Sequence, residues 1–260
     1  MNSERCLVTA ARQVQSRYRP QAAVASSEKM QMDWTYNTIW MDSLAPGQLA
    51  TIEFERGRTS SEAVADGATY YRVQRFKTKE PGFHGLSGVT SAEYLEVNFS
   101  NITSFLEIAK LGKIKRLELS WCLKLESDTG LSEIRDHLEW LHVNTSRKFK
   151  PKKELFELRN LKVLCLNGCA PLDDLRFLEK MPNLLDFRFV DTNVLDGDLT
   201  PLMNHPNLVN AGFLDKRHYN LKSVEVEQHL KARGERAVEY AYKGEFRTHR
   251  YKAFGPRGDH

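Results

Sequence analysis

Four side chains capable of chemistry recur at nearly constant spacing along the sequence. Glu118, His142, Cys165 and Arg188 are separated by 24, 23 and 23 residues. A histidine can accept the proton of a neighbouring thiol when a third group orients its ring. A cationic arginine beside the same sulfur would further favour the thiolate. If the fold places the four side by side, they could form an activated cysteine nucleophile.

The spacing belongs to a longer repeat that must position these residues. Residues 161–169 follow the pattern L-x-x-L-x-L-x-x-C, with Leu161 as the first leucine. The frame opens at Ala92, Ile114, Leu138, Leu161, Leu184 and Leu208, at intervals of 22, 24, 23, 23 and 24 residues. A unit of this length cannot bury its apolar side alone, so the units must stack. The frame predicts one short parallel strand per repeat, with the second and third frame residues pointing into a core.

The segments between these strands predict the opposite wall of that core. Apolar residues follow at a spacing of about three, as in Ile102, Phe105, Ile108 and Leu111, which suits short helical or 3-10 turns. The same turn into a strand occurs twice, at residues 182–184 and 206–208, with the sequence Pro-Asn-Leu.

On these residues the chain resembles the leucine-rich-repeat superfamily in its short-repeat, internalin-like form, over residues 92–230. It departs at the ninth frame position, where the family prefers asparagine. That position holds Ser100, Cys122, Ser146, Cys169, Thr192 and Lys216. The first five can still hydrogen-bond to the backbone, whereas Lys216 cannot accept a hydrogen bond, which favours repeat six as the closing unit. The resemblance implies a protein-binding module, and some bacterial members act as partner-specific inhibitors or immunity proteins.

The frame sorts the concave side chains into rows and predicts a partner-binding surface on the N-terminal repeats. Aromatic and arginine side chains, the types enriched at binding hot spots, converge there. Tyr94 and Trp140 should face outward unless a terminal cap covers them, whereas Phe99 and Trp121 could instead fold beneath such a cap as core. The predicted partner-binding residues are Tyr94, Glu96, Phe99, Arg116, Glu118, Trp121, Trp140, His142, Cys165 and Arg188.

An open concave sheet is a poor setting for the thiol chemistry. Its backbone N–H groups belong to the strand ladder and leave no evident oxyanion donors, and nothing excludes water. The sequence has no P-loop, glycine-rich dinucleotide motif or histidine–cysteine metal cluster. We therefore expect a non-catalytic protein without cofactor or metal, and keep a thiol-dependent enzyme using Cys165 and His142 as a less favoured alternative.

The flanks predict three further units. Residues 1–29 read as a loosely structured extension, and the native product could begin at Met30 or Met32. Residues 30–91 read as a β-rich N-terminal cap with strands over 49–54 and 70–76. A helix over 223–233 is followed by a basic hairpin or tail within 231–260. The cluster Asp215, His218 and Tyr219 reads as a capping loop in preference to a rim contact.

Charge is concentrated at the two ends. Residues 1–29 carry a net charge of +3, residues 231–260 carry +4, and the remainder sums to −3. Basic and aromatic residues mix in the C-terminal run 243–252, which keeps a nucleic-acid partner as an alternative, although a concentrated basic face is absent from the repeats. The four cysteines form no C-x-x-C pair and read as reduced thiols. The sequence has no apolar run long enough to span a membrane and no recognisable secretion signal. We therefore expect a cytoplasmic protein that does not enter a membrane.

Overall fold

The computed structural model describes residues 33–55, 58–59, 67–86 and 88–233. All of these belong to one compact unit. The predicted extension 1–29 and the predicted C-terminal hairpin lie outside the described residues.

The described residues form one open sheet of nine strands in which eight are parallel. The strands are β1 (Leu49–Glu55), β2 (Arg58–Thr59), β3 (Tyr70–Gln74), β4 (Tyr94–Asn98), β5 (Arg116–Ser120), β6 (Trp140–Asn144), β7 (Val163–Asn167), β8 (Asp186–Arg188) and β9 (Asn210–Gly212). Their order is β2-β1-β3-β4-β5-β6-β7-β8-β9, and only β2 runs antiparallel to its neighbour β1. This is a solenoid-like α/β architecture.

The register of the parallel strands follows the sequence frame. Leu117 lies opposite Leu95 on one side and Leu141 on the other, and Glu118 lies opposite Glu96 and His142. The frame leucines are fully buried, which places them in the core behind the sheet. The predicted row arrangement of the strands is therefore confirmed.

The sheet begins two parallel strands earlier than the repeat frame indicated. The predicted strands at 49–54 and 70–76 are present as β1 and β3, and Tyr70 pairs in register with Tyr94. Tyr71 and Val73 are buried in the same core as the frame leucines. Aromatic and β-branched residues at these positions fill the role that leucine fills later, so the segment continues the sheet.

Short helical turns form the wall opposite the strands, as predicted. In this wall the 3-10 helices span Ile108–Leu111, Leu131–Ile134, Leu155–Glu157 and Arg176–Lys180, and α1 spans Thr200–Asn204. A further 3-10 helix, Met41–Ser43, lies on the other face of the sheet, because Met41 packs with Tyr70 and Tyr94. The predicted C-terminal helix is present as α2 (Ser223–Lys231). Val226 and Leu230 of α2 pack into the main core and cover its last repeat.

In repeats one, four and five the ninth frame position tethers the repeat to the segment before it, whereas Ser146 Oγ donates to the Asn144 carbonyl within its own repeat at 3.3 Å. Ser100 Oγ donates to the carbonyl of Phe76 at 2.9 Å, and Thr192 Oγ1 donates to that of Leu166 at 2.6 Å. Cys169 Sγ contacts the carbonyl of Val143 at 3.5 Å. Hydroxyl and thiol groups at this position thus hydrogen-bond to the backbone, as the sequence predicted.

Two asparagines stand just before the first frame leucine of their repeats. Asn183 Nδ2 donates to the carbonyl of Arg159 at 2.9 Å, and Asn207 Nδ2 donates to that of Pro182 at 2.8 Å. Each side chain spans one repeat, so these asparagines fix the turns that lead into β8 and β9.

The loop after β9 closes the C-terminal end. Tyr219 is buried, and its hydroxyl accepts a hydrogen bond from the Val194 N–H at 3.1 Å. His218 Nε2 lies 3.0 Å from the Val194 carbonyl, and Asp215 Oδ1 accepts from the Ser223 N–H at 2.7 Å. These contacts agree with the capping-loop interpretation.

Candidate functional site

The N-terminal half of the concave face is covered by residues 33–44, which we call the N-terminal segment. Arg116 Nη1 donates to the carbonyls of Trp34 at 2.8 Å and Tyr36 at 2.5 Å. Tyr36, Ile39 and Met41 pack against two tyrosines of the sheet, Tyr70 and Tyr94. The guanidinium and the apolar contacts together hold the segment on the sheet.

The sequence predicts that Tyr94 and Trp140 face outward unless a terminal cap covers them, and the N-terminal segment, which lies within the predicted cap 30–91, does cover this part of the face. Tyr94 is 0%, Arg116 1% and Trp140 2% exposed. The frame correctly directed these side chains away from the leucine core, but it carried no information on which part of the chain would lie over them. The available signal was the apolar and aromatic run from Trp34 to Trp40, which needs a surface to cover.

The two predicted acidic contact residues are also buried, and each accepts hydrogen bonds inside the face. Glu118 Oε1 accepts from Arg116 Nε at 2.6 Å and lies 2.5 Å from Arg116 Nη2. Glu96 accepts from Asn98 Nδ2 at 2.6 Å and from the Tyr94 hydroxyl at 3.1 Å. The Glu118 carboxylate balances and orients the buried Arg116 cation, because a desolvated charge is costly without such a partner. Glu96 Oε1 lies 3.4 Å from Arg72 Nε.

The register brings Glu118, His142, Cys165 and Arg188 into one row, as predicted. The environment opposes thiolate chemistry, because burial raises the pKa of the Cys165 thiol to about 12 despite the nearby Arg188 guanidinium. His142 Nε2 lies 3.2 Å from Asn167 Nδ2, and Arg188 Nη2 lies 2.5 Å from Asp186 Oδ2. A nucleophile that stays protonated at neutral pH does not support covalent catalysis.

A column of residues with positive φ runs along the ends of the strands. We call it the exit column; it consists of Arg75, Phe99, Trp121, Thr145, Gly168 and Asp191, with φ between 49° and 60°. The first five of these each donate a backbone N–H to a carbonyl of the following repeat, as from Phe99 to Ser120 at 2.9 Å and from Trp121 to Asn144 at 3.0 Å. The left-handed conformation therefore belongs to the architecture, whatever side chain stands there.

Phe99 and Trp121 form an exposed aromatic pair in this column, which we call the exit pair. Their ring centroids lie 6.2 Å apart with planes inclined by 18°. The side chains remain 49% and 47% exposed, so the alternative that they fold under a cap is wrong. The sequence placed them correctly at the strand ends. It did not reveal the backbone strain, although glycine at the equivalent position 168 was a signal.

The fold and this surface define a class, a solenoid-like repeat protein that presents an aromatic pair on the rim of its sheet. No family model, curated protein or solved structure matches the chain. Within the described residues, no helix has the length and apolar character needed to cross a bilayer.

Proposed function

We propose that the chain is a non-catalytic protein-binding module of the leucine-rich-repeat type, acting as an inhibitor, immunity or regulatory protein. The interval of 22 to 24 residues and the stacked parallel strands support the repeat type. Because the N-terminal segment covers the concave aromatics, the proposed contact surface moves from the concave floor to the exit pair. Buried, protonated cysteines support the non-catalytic part of the proposal and a cytoplasmic location.

The exit pair carries the proposal because neither ring belongs to a buried core cluster. A bulky residue with positive φ is uncommon, and the left-handed region costs roughly 1–2 kcal/mol relative to ordinary backbone. Glycine would relieve this cost, as it does at Gly168 in the same column. Two large apolar side chains that are both strained and half-exposed are best explained by a contact outside the chain.

The uncovered part of the concave face extends this surface. His142, Asn144 and Asn167 of β6 and β7 are only partly buried and lie beside the exit column. A partner seated on the exit pair can reach these polar groups, which would form the hydrogen-bonding rim around an aromatic centre.

The experiment is a quantitative pull-down from native extract with glycine variants of the exit column. Phe99→Gly/Trp121→Gly removes both rings at positions whose φ glycine prefers, so folding should persist. Thr145→Gly is the matched control, because it changes the same column without removing an aromatic ring. We expect wild type and Thr145→Gly to retain one stoichiometric protein that the double variant loses. Recovery of the same proteins by all three, with equal melting temperatures, would refute the proposal.

A further inference from the structure

The loops that follow β3 to β8 divide into two halves of opposite charge, with the exit pair in the basic half. Residues 75–80, 121–128 and 145–153 carry nine basic and three acidic residues. Residues 168–174 and 191–198 carry five acidic and no basic residues. One of the three acids in the basic half, Asp128, is buried and accepts hydrogen bonds from the backbone of Lys152 and Leu155.

Basic residues lie in the loops that neighbour the two rings. Lys77 Nζ donates to the carbonyl of Phe99 at 2.6 Å. Lys124 lies three residues beyond Trp121, and Lys148 lies in the loop after β6, whose last residue accepts the Trp121 N–H. Both lysines are exposed, and within the described residues neither ammonium group has an ion-pair partner.

The two halves meet at ion pairs that link adjacent loops. Lys150 Nζ lies 2.8 Å from Asp173 Oδ1, and Arg147 Nη2 lies 3.8 Å from Asp191 Oδ2. These pairs neutralise the boundary. The charges that remain available to a partner are therefore positive beside the aromatic rings and negative at Asp196 and Asp198, in the loop after β8.

From this layout we infer that the exit pair receives an acidic segment of a protein partner, with an apolar side chain of that segment against the rings. The inference rests on the proposed binding function and adds the chemistry of the partner. A polyanion such as single-stranded nucleic acid could stack on the rings, but its continuation along the rim would meet the carboxylates of Asp196 and Asp198, for which the described residues provide no ion pair. A protein can present negative charge to the basic half and positive charge to the acidic half.

The test uses two probes, a random dodecapeptide library displayed on phage and a fluorescein-labelled dT12 oligonucleotide. The full-length protein is the bait, with Phe99→Gly/Trp121→Gly and Lys124→Glu/Lys148→Glu as counter-baits. We expect enriched peptides to combine acidic residues with an aromatic or large aliphatic residue. Synthetic copies should bind about tenfold more weakly to the charge-reversed variant, as expected for two reversed rim charges.

The outcomes separate the two proposals. Peptides that need the rings but show no acidic bias, or bind the charge-reversed variant equally well, overturn the acidic partner and leave the binding function standing. If no enriched peptide loses binding to Phe99→Gly/Trp121→Gly, both the proposed binding function and the acidic partner are contradicted. Binding of dT12 that is as tight as that of the peptides and depends on the same rings and lysines replaces the protein segment with nucleic acid.

Discussion

The Arg116 guanidinium lies 3.8 Å from the centroid of the Trp140 ring, and both side chains are almost completely buried. The cation contacts the ring on one side, Glu118 along its own edge and the N-terminal segment beyond it. A desolvated contact of this kind stabilises more than an exposed one. The pair thus joins the sheet to the segment that covers it.

The burial of Trp140 predicts a stability defect. Trp140→Ala should lower the free energy of unfolding by about 3–5 kcal/mol, because it leaves a cavity and removes the ring that faces Arg116. Urea unfolding followed by circular dichroism measures the loss. The matched control is Trp121→Ala, which removes a half-exposed ring and should cost below about 1 kcal/mol. Similar losses for both variants would contradict the assignment of Trp140 to the interior.

The role of Arg116 as an anchor predicts a local change in dynamics. Arg116→Ala deprives the carbonyls of Trp34 and Tyr36 of their donor and leaves Glu118 buried without this cation. Removing one partner of such a pair costs about 3–5 kcal/mol. In Arg116→Ala, amide hydrogen exchange should accelerate over residues 33–44 far more than in the strands of the sheet.

A double variant separates the lost contact from the uncompensated charge. Arg116→Met/Glu118→Gln keeps the volumes of both side chains while removing both charges. It should be more stable than Arg116→Ala, since no buried charge is stranded. Unchanged exchange over 33–44 in Arg116→Ala would show that the segment is held by apolar contacts alone.

Much of this arrangement was predictable, because the core leucines and the strand register both follow one local period. Leu95, Leu117 and Leu141 fixed the rows, and the rows placed Phe99 and Trp121 at the strand ends. The cover over Tyr94 and Trp140 was not predictable, since Arg116 reaches its carbonyl partners about 80 residues away in sequence. A contact between residues so far apart in sequence produces no periodic pattern. The division of the loops into a basic and an acidic half was also not predictable, because these loops come together only in the folded chain.

The exit column predicts that glycine is tolerated where it normally weakens a strand end. Thr145 has a φ of 49°, and its replacement by glycine should leave stability unchanged or raise it by up to about 1 kcal/mol. Ser120→Gly is the control, because Ser120 is the last residue of β5 and lies outside the positive-φ column. That substitution should cost about 0.5–1 kcal/mol. Thermal melts rank the two, and an equal loss in both would remove the argument from strain.

The buried thiols predict a fall in stability at alkaline pH. Burial raises the pKa of Cys122 to about 11 and the pKa of Cys165 and Cys169 to about 12. In the unfolded chain thiols ionise near pH 8.5, so above that pH the unfolded state releases protons that the folded state retains. The contribution is complete below pH 8.5 and is lost as pH rises toward the folded values.

Urea midpoints between pH 8 and 10 measure this effect. Each thiol should remove about 1 kcal/mol per pH unit above its unfolded pKa. Cys165→Ala should flatten the profile by the share of one thiol, whatever its own effect on stability at pH 8. In native protein, iodoacetamide should label Cys165 slowly throughout this range. A midpoint that is constant from pH 8 to 10 would show that the thiols are accessible to water.

The hydrogen bonds made at the ninth frame position predict a loss of stability, on substitution, that side-chain volume alone does not explain. Thr192 Oγ1 donates to the Leu166 carbonyl and accepts from the Cys169 N–H at 2.9 Å. Thr192→Val keeps the shape and leaves both buried groups without this partner, which should cost about 1–3 kcal/mol. Thr192→Ser retains the hydroxyl and should therefore keep most of the free energy of unfolding that Thr192→Val loses. Calorimetric melts of the two variants provide the comparison, and equal melting temperatures would exclude the tether.

The exit column also separates what the fold requires from what a partner sees. Its backbone is held by bonds between neighbouring strand ends, and its side chains leave the sheet without entering the leucine core. A side chain added at Gly168 would meet its nearest neighbours at 3.5 Å or more, an ordinary contact distance. The exit column therefore offers positions at which side chains can be exchanged on a fixed backbone. New recognition surfaces could be grafted there one position at a time, leaving the interior sequence untouched.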